Sequence, residues 1–130
     1  MQMKNQFSLA PWLSVTDSLK ALDFYIAAFG ATIAYRMDFP GGVVARLSVN
    51  GAEFWLSDES PEQAGIRPKV LGGDTVRMIL TVDNPDAAFA KAIAAGATEV
   101  FPVGEEHGWR LGRLMDPFGL HWEIGREVEK

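Results

Sequence analysis

One order of elements is written twice in this chain, and that repetition constrains the fold more than any other feature. Gly30-Ala31-Thr32 recurs as Gly96-Ala97-Thr98, 66 residues on. At the same offset Asp17 meets Asp83, Ala21 meets Ala87 and Tyr35 meets Phe101, while Gly51 meets Gly119 at an offset of 68. A small drift of this kind is what a duplicated module shows once its loops have changed length.

In the first copy, Phe7 to Val15 is strand-like, and Asp17 or Ser18 can cap a helix that runs to about Phe29 and stops at Gly30. Leu19, Leu22, Ile26 and Phe29 form its expected buried stripe. Thr32 to Phe39, Val43 to Val49 and Ala52 to Ser57 follow as strands, with turns at Pro40-Gly41-Gly42 and Asn50-Gly51. In the second copy, Thr75 to Val82 is a strand and Asn84 caps a helix with Pro85 at its first position and Gly96 at its end. Thr98 to Val103, Trp109 to Met115 and Leu120 to Ile124 are the remaining strands. The chain reads as one domain: module one over about 7–58, a linker over about 59–74 and module two over about 75–125.

The last hairpin turns at Asp116-Pro117-Phe118-Gly119, where Pro117 presets one backbone angle and Gly119 tolerates a positive one. Alternation in its second arm puts Leu120, Trp122 and Ile124 on one face and His121 and Glu123 on the other. Phe54 and Leu56 match that apolar face in module one, with Glu53 and Trp55 opposite. Each sheet is therefore expected to carry a helix on one face. The opposite faces are expected to meet across a concave, polar and aromatic space that holds a small molecule.

A net charge of −5 and a pI near 4.9 argue against nucleic acid and anionic membranes as partners. Cysteine is absent, so disulfides, thiolate metal sites and thiol nucleophiles are excluded. No stretch is apolar for the roughly 20 residues that span a bilayer, and a cytoplasmic location is expected.

In this order and on these modules, a set of short motifs resembles the vicinal oxygen chelate superfamily of glyoxalases, bleomycin-resistance proteins and dioxygenases, nearest to its PhnB-like branch. The motifs are Leu9-Ala-Pro-Trp-Leu-Ser-Val-Thr-Asp17, Asp23-Phe-Tyr25, Ala28-Phe-Gly-Ala31, Leu56-Ser-Asp-Glu59, Leu71-Gly-Gly73, Ala95-Gly-Ala97 and Gly112-Arg-Leu-Met-Asp-Pro-Phe-Gly119. The resemblance implies an α+β fold of two tandem βαβββ modules forming a cup-shaped mixed sheet, often in a homodimer. Fold does not fix function here, because the superfamily hosts enzymes and binding proteins alike.

Metal enzymes of the superfamily take His, Glu or Gln ligands from the first and last strands of each module. Those positions fall near Ala10, at Val76 or Arg77, at Trp55 and at Glu123, so one of the four carries a ligand type. The branch also commonly has His directly after the Asp-Pro-Phe-Gly turn, where this chain has Leu120. The degenerate set favours a metal-independent binding protein whose site is lined by Trp12, Glu53, Trp55, Arg77, Trp109 and His121 beside Glu123. If Arg77 takes the ligand position, its guanidinium can fill the space of the metal and pair with Glu123. The alternative is a glyoxalase-type lyase or isomerase using Zn, Ni, Mn or Fe, with Glu123 as ligand or general base, His121 as a second ligand and Glu53 as a third.

Four tryptophans require placing. Trp122 is expected in the core, while Trp12 and Trp55 are expected to line the cup. Trp109 follows Gly104-Glu-Glu-His-Gly108, whose glycines suggest a mobile lid. Flat aromatic walls near Glu53, Glu105 and Glu106 suit a planar or cationic ligand. The bland alternatives are that these rings are ordinary core, and that His121 and Arg77 are polar residues facing water.

Overall fold

The computed structural model describes residues 8–59 and 77–128, so the expected linker falls almost wholly outside the described residues. The described elements are β1 (Trp12–Val15), α1 (Ser18–Phe29), β2 (Thr32–Phe39), β3 (Gly42–Val49), β4 (Ala52–Asp58), β5 (Met78–Thr81), α2 (Pro85–Ala95), β6 (Thr98–Glu106), β7 (Trp109–Met115) and β8 (His121–Glu127). They form two four-stranded mixed sheets with identical wiring, β1-β4-β3-β2 and β5-β8-β7-β6. The first strand of each module pairs in parallel with the last, and the other pairs are antiparallel.

Local chemistry explains the boundaries. The Asp17 side chain accepts a hydrogen bond from the Lys20 amide at 3.1 Å, and Asn84 does the same for Ala87 at 3.1 Å, satisfying amides that have no partner inside the helix. Gly30 and Gly96 close the helices. Two β-turns use consecutive residues with positive φ: Asn50 at 51° with Gly51 at 97°, and His107 at 54° with Gly108 at 83°. That pairing gives the turn whose twist matches a two-residue hairpin.

The second of these turns corrects an expectation. Gly104 to Glu106 belong to β6 and pair with Leu111, Arg110 and Trp109 of β7, so the stretch before Trp109 is a continuous hairpin and not a lid. The α1 stripe is also rotated from the one expected. Ala21, Leu22, Phe24, Tyr25 and Ala28 are buried, whereas Leu19 and Ile26 are 41% and 39% exposed. A stripe chosen from large aliphatic residues overlooks a face built of alanines and aromatic rings.

Tyr25 is at the centre of the core. Its ring lies 5.3–6.1 Å from those of Phe24, Phe29, Phe54, Phe118 and Trp122. Its hydroxyl donates to Asp116 at 2.5 Å, and Trp122 Nε1 donates to the same carboxylate oxygen at 2.9 Å. The other oxygen of Asp116 accepts from the amides of Phe118 and Leu120 at 2.9 and 3.0 Å. This buried carboxylate thus has four donors and ties the last hairpin of module two to the helix of module one.

The same contacts decide where the sheets face. Phe54 of β4 and Trp122 of β8 touch at 5.7 Å, and α1 packs on α2, so the helix-covered sides of both sheets share one core. The opposite faces therefore look away from each other. The paired modules and α+β class are as expected, but the two open faces of a single chain do not meet across one space.

Candidate functional site

The open face of sheet two is built by residues of β5, β7 and β8 whose neighbours in sequence point into the core. On β8, Trp122 and Ile124 are buried and Glu123 turns outward, its side chain 16% exposed. Register sets Ile79 and Arg113 beside Glu123, and Leu111 beside Gly125. Arg77 Nε lies 3.1 Å and Arg113 Nη2 3.5 Å from Glu123 Oε2, so two guanidiniums converge on one carboxylate oxygen. The Arg113 guanidinium also sits 5.2 Å from the centre of the Phe101 ring. Next to this cluster, Ile79, Trp109, Leu111, Glu123 and Gly125 line an apolar cleft of about 160 Å³. Its floor depends on a missing side chain, because a Cβ at Gly125 would lie 2.6 Å from that of Leu111.

The open face of sheet one is aromatic. Trp12 and Trp55 are register partners on β1 and β4, and their rings stack at 5.4 Å with planes 6° apart. Trp12 Nε1 donates to Ser57 Oγ at 2.9 Å, and Tyr35 of β2 leans on Trp55 at 5.7 Å. Arg46 of β3, opposite Trp55, holds its guanidinium 5.4 Å from that ring, with Glu53 Oε1 3.7 Å from its Nε.

The expected site residues thus fall into two groups. Trp109, His121 and Glu123 are on sheet two, with Arg77 just ahead of β5 and reaching Glu123, whereas Trp12, Glu53 and Trp55 are on sheet one. Glu53 in particular does not face Glu123 within a chain. Arg46 and Arg113 were not anticipated. They are equivalent in the repeat, 67 residues apart, and each pairs in register with the last-strand position of its module, Trp55 or Glu123.

A family model for the glyoxalase-like domain matches residues 12–125, which is most of the chain. The chain belongs to the glyoxalase-like family. An uncharacterized protein of Mycobacterium tuberculosis is 40% identical over 129 residues, spanning 95% of this chain and 76% of that one. Among solved structures, TioX from Micromonospora matches with a TM-score of 0.73 at 24% identity, covering 95% of this chain and 98% of the other. TnmS3, an antibiotic binding protein from Streptomyces, matches with a TM-score of 0.65 at 21% identity, covering 95% and 99%. At these identities the two structures speak for the fold alone.

As a glyoxalase-like chain it can be tested for the metal that enzymes of the resembled superfamily hold. Glu123 is the ligand-type residue at those positions, and its Oε2 is already taken by two cations. Among the described residues no three His, Asp or Glu side chains come together to hold an ion. His121 is on the same face of β8 as Glu123, yet its Nδ1 is buried without a hydrogen-bond partner. This donor set does not fit a divalent ion, which typically wants three protein ligands and an open position.

Proposed function

We propose that this glyoxalase-like protein binds a small organic molecule without a metal, at a site that a second copy of the chain completes. One observation carries the reading: Arg77 and Arg113 converge on Glu123, so positive charge already stands where a metal would have to be bound. The apolar cleft beside this cluster and the stacked tryptophans of sheet one supply surfaces for a flat ligand. The likeness to TnmS3, described as an antibiotic binding protein, supports small-molecule binding. Within the superfamily, the Asp116-Pro-Phe-Gly119 turn supports the PhnB-like branch.

Exposed apolar surface supports a homodimer. Trp12, Tyr35, Met37 and Phe39 on sheet one are 40–52% exposed, and on sheet two Ile79 is 66% and Trp109 36% exposed. Large apolar side chains gathered on an open sheet face favour a partner that covers them. Setting sheet one of one protomer against sheet two of its partner covers both faces. It also brings the two groups of site residues to opposite walls of one cup.

The test is a thermal melt with Zn²⁺, Ni²⁺, Mn²⁺, Fe²⁺ or EDTA, for the wild type and Glu123→Gln. A ligand at 100 times its dissociation constant stabilises by about 2.7 kcal/mol, well within detection. The expected outcome is no metal-dependent shift that Glu123→Gln abolishes. A stabilisation lost in that variant would overturn the metal-free reading and favour an enzyme with Glu123 at its metal.

A further inference from the structure

Arg46 and Arg113 are the same residue of the repeat in two different states. Each stands in register with an aromatic residue of the neighbouring strand, Tyr35 or Phe101, and these two are also equivalents in the repeat. Each guanidinium lies over a ring, at 5.4 Å from Trp55 and 5.2 Å from Phe101. In both, Nε is shut off from water and donates no hydrogen bond. A guanidinium desolvated on one side is costly unless an anion compensates it elsewhere.

In module two the compensation is internal, because Glu123 stands opposite Arg113 and reaches it at 3.5 Å. The equivalent position in module one is Trp55, which offers a ring and no charge. Glu53 forms a partly exposed ion pair with Arg46, its Oε1 3.7 Å from Nε and too far for a hydrogen bond, and the terminal nitrogens of Arg46 have no carboxylate partner among the described residues. Module two therefore displays, in Glu123, a carboxylate at the position opposite the arginine, where module one has Trp55.

We propose that Arg46, Trp12 and Trp55 recognise an aromatic carboxylate. Its carboxylate takes the terminal nitrogens of Arg46, much as Glu123 accepts from Nη2 of Arg113, and its ring lies against the tryptophan pair, whose outer member Trp12 is 52% exposed. This rests on the small-molecule reading and names the class of ligand. Of the planar or cationic ligand expected from the aromatic walls near Glu53, Glu105 and Glu106, it keeps the planar ring and replaces the cation with an anion.

The indole N–H signals of the four tryptophans provide the assay, because each reports its own site by NMR. Benzoate, benzamide and benzylammonium have the same ring and differ in charge. Benzoate is expected to shift the Trp12 and Trp55 signals and to bind about tenfold more tightly than benzamide, as a charge-assisted fork outweighs a neutral hydrogen bond. Arg46→Gln should erase that preference, Arg46→Lys should retain part of it, and Glu53→Gln should strengthen it.

Equal binding of the three probes, or preference for benzylammonium, at Trp12 and Trp55 would overturn the anion assignment and leave small-molecule binding intact. Benzoate shifts confined to Trp109 would overturn it in favour of the cleft on sheet two. Silence of all four indoles to all three probes would count against the assignment and the binding-protein reading together.

Discussion

Asp116 shows how much one side chain can carry. It accepts from Tyr25, Trp122 and two backbone amides while buried, so replacing one of its oxygens by an amide group must set donor against donor. Asp116→Asn should destabilise by about 3 kcal/mol or more, since hydrogen bonds to charged groups contribute about 1.5–3 kcal/mol each. Chemical denaturation checks this. Tyr25 adds a pH dependence. Burial first, then the Asp116 charge and the hydrogen bond to it, raise the phenol above its usual value near 10. The folded state therefore keeps a proton that the unfolded chain releases, and the associated stability is complete below pH about 10 and falls above it. Unfolding free energies measured between pH about 9 and 11 should show a loss approaching 1.4 kcal/mol per pH unit that Tyr25→Phe removes. The turn at Asp116 was legible in the sequence. Its four-donor network was not, because Tyr25 lies 91 residues away along the chain.

The caps and turns at element ends follow from residues next to one another, and they are where the sequence reading succeeds. Asp17, Asn84 with Pro85, and Asn50-Gly51 all act as their chemistry dictates. Helix faces depend on what packs against them, and there the reading of α1 was rotated. Leu22→Ala should cost about 2–5 kcal/mol, as is usual when a buried side chain leaves a cavity, whereas Leu19→Ala should cost less than about 1 kcal/mol. Comparable losses in thermal unfolding would mean that Leu19 is as buried as the sequence suggested. The structure also corrects the register of the repeat at its helix starts, where the cap equivalent to Asp17 is Asn84 and not Asp83. Helix α2 has 11 residues where α1 has 12, and the offset falls from 67 at the caps Asp17 and Asn84 to 66 at Gly30 and Gly96.

For the whole molecule, the decisive contact is Phe54 against Trp122, which turns the helix-covered sides of both sheets inward. Tyr35, Met37 and Phe39 on the edge strand β2 are left without cover in a single chain. Burying such surface couples folding to association, so the melting temperature should rise with protein concentration and sedimentation should give a dimer. A concentration-independent melt and a monomeric mass would leave each open face to act alone.

The sequence by itself determined the duplication, the element order and the turns, because these depend on short-range backbone chemistry and on a pattern repeated at a near-constant offset. It also singled out Glu123 and Arg77. Only the tertiary structure decided that Arg113 joins them, that Arg46 stands in the matching place with Trp55 instead of a carboxylate opposite it, and that the two open faces lie on opposite sides of the chain. Those outcomes depend on register between strands distant in sequence and on which faces share the core. A one-residue change in register would turn each of these side chains to the other face.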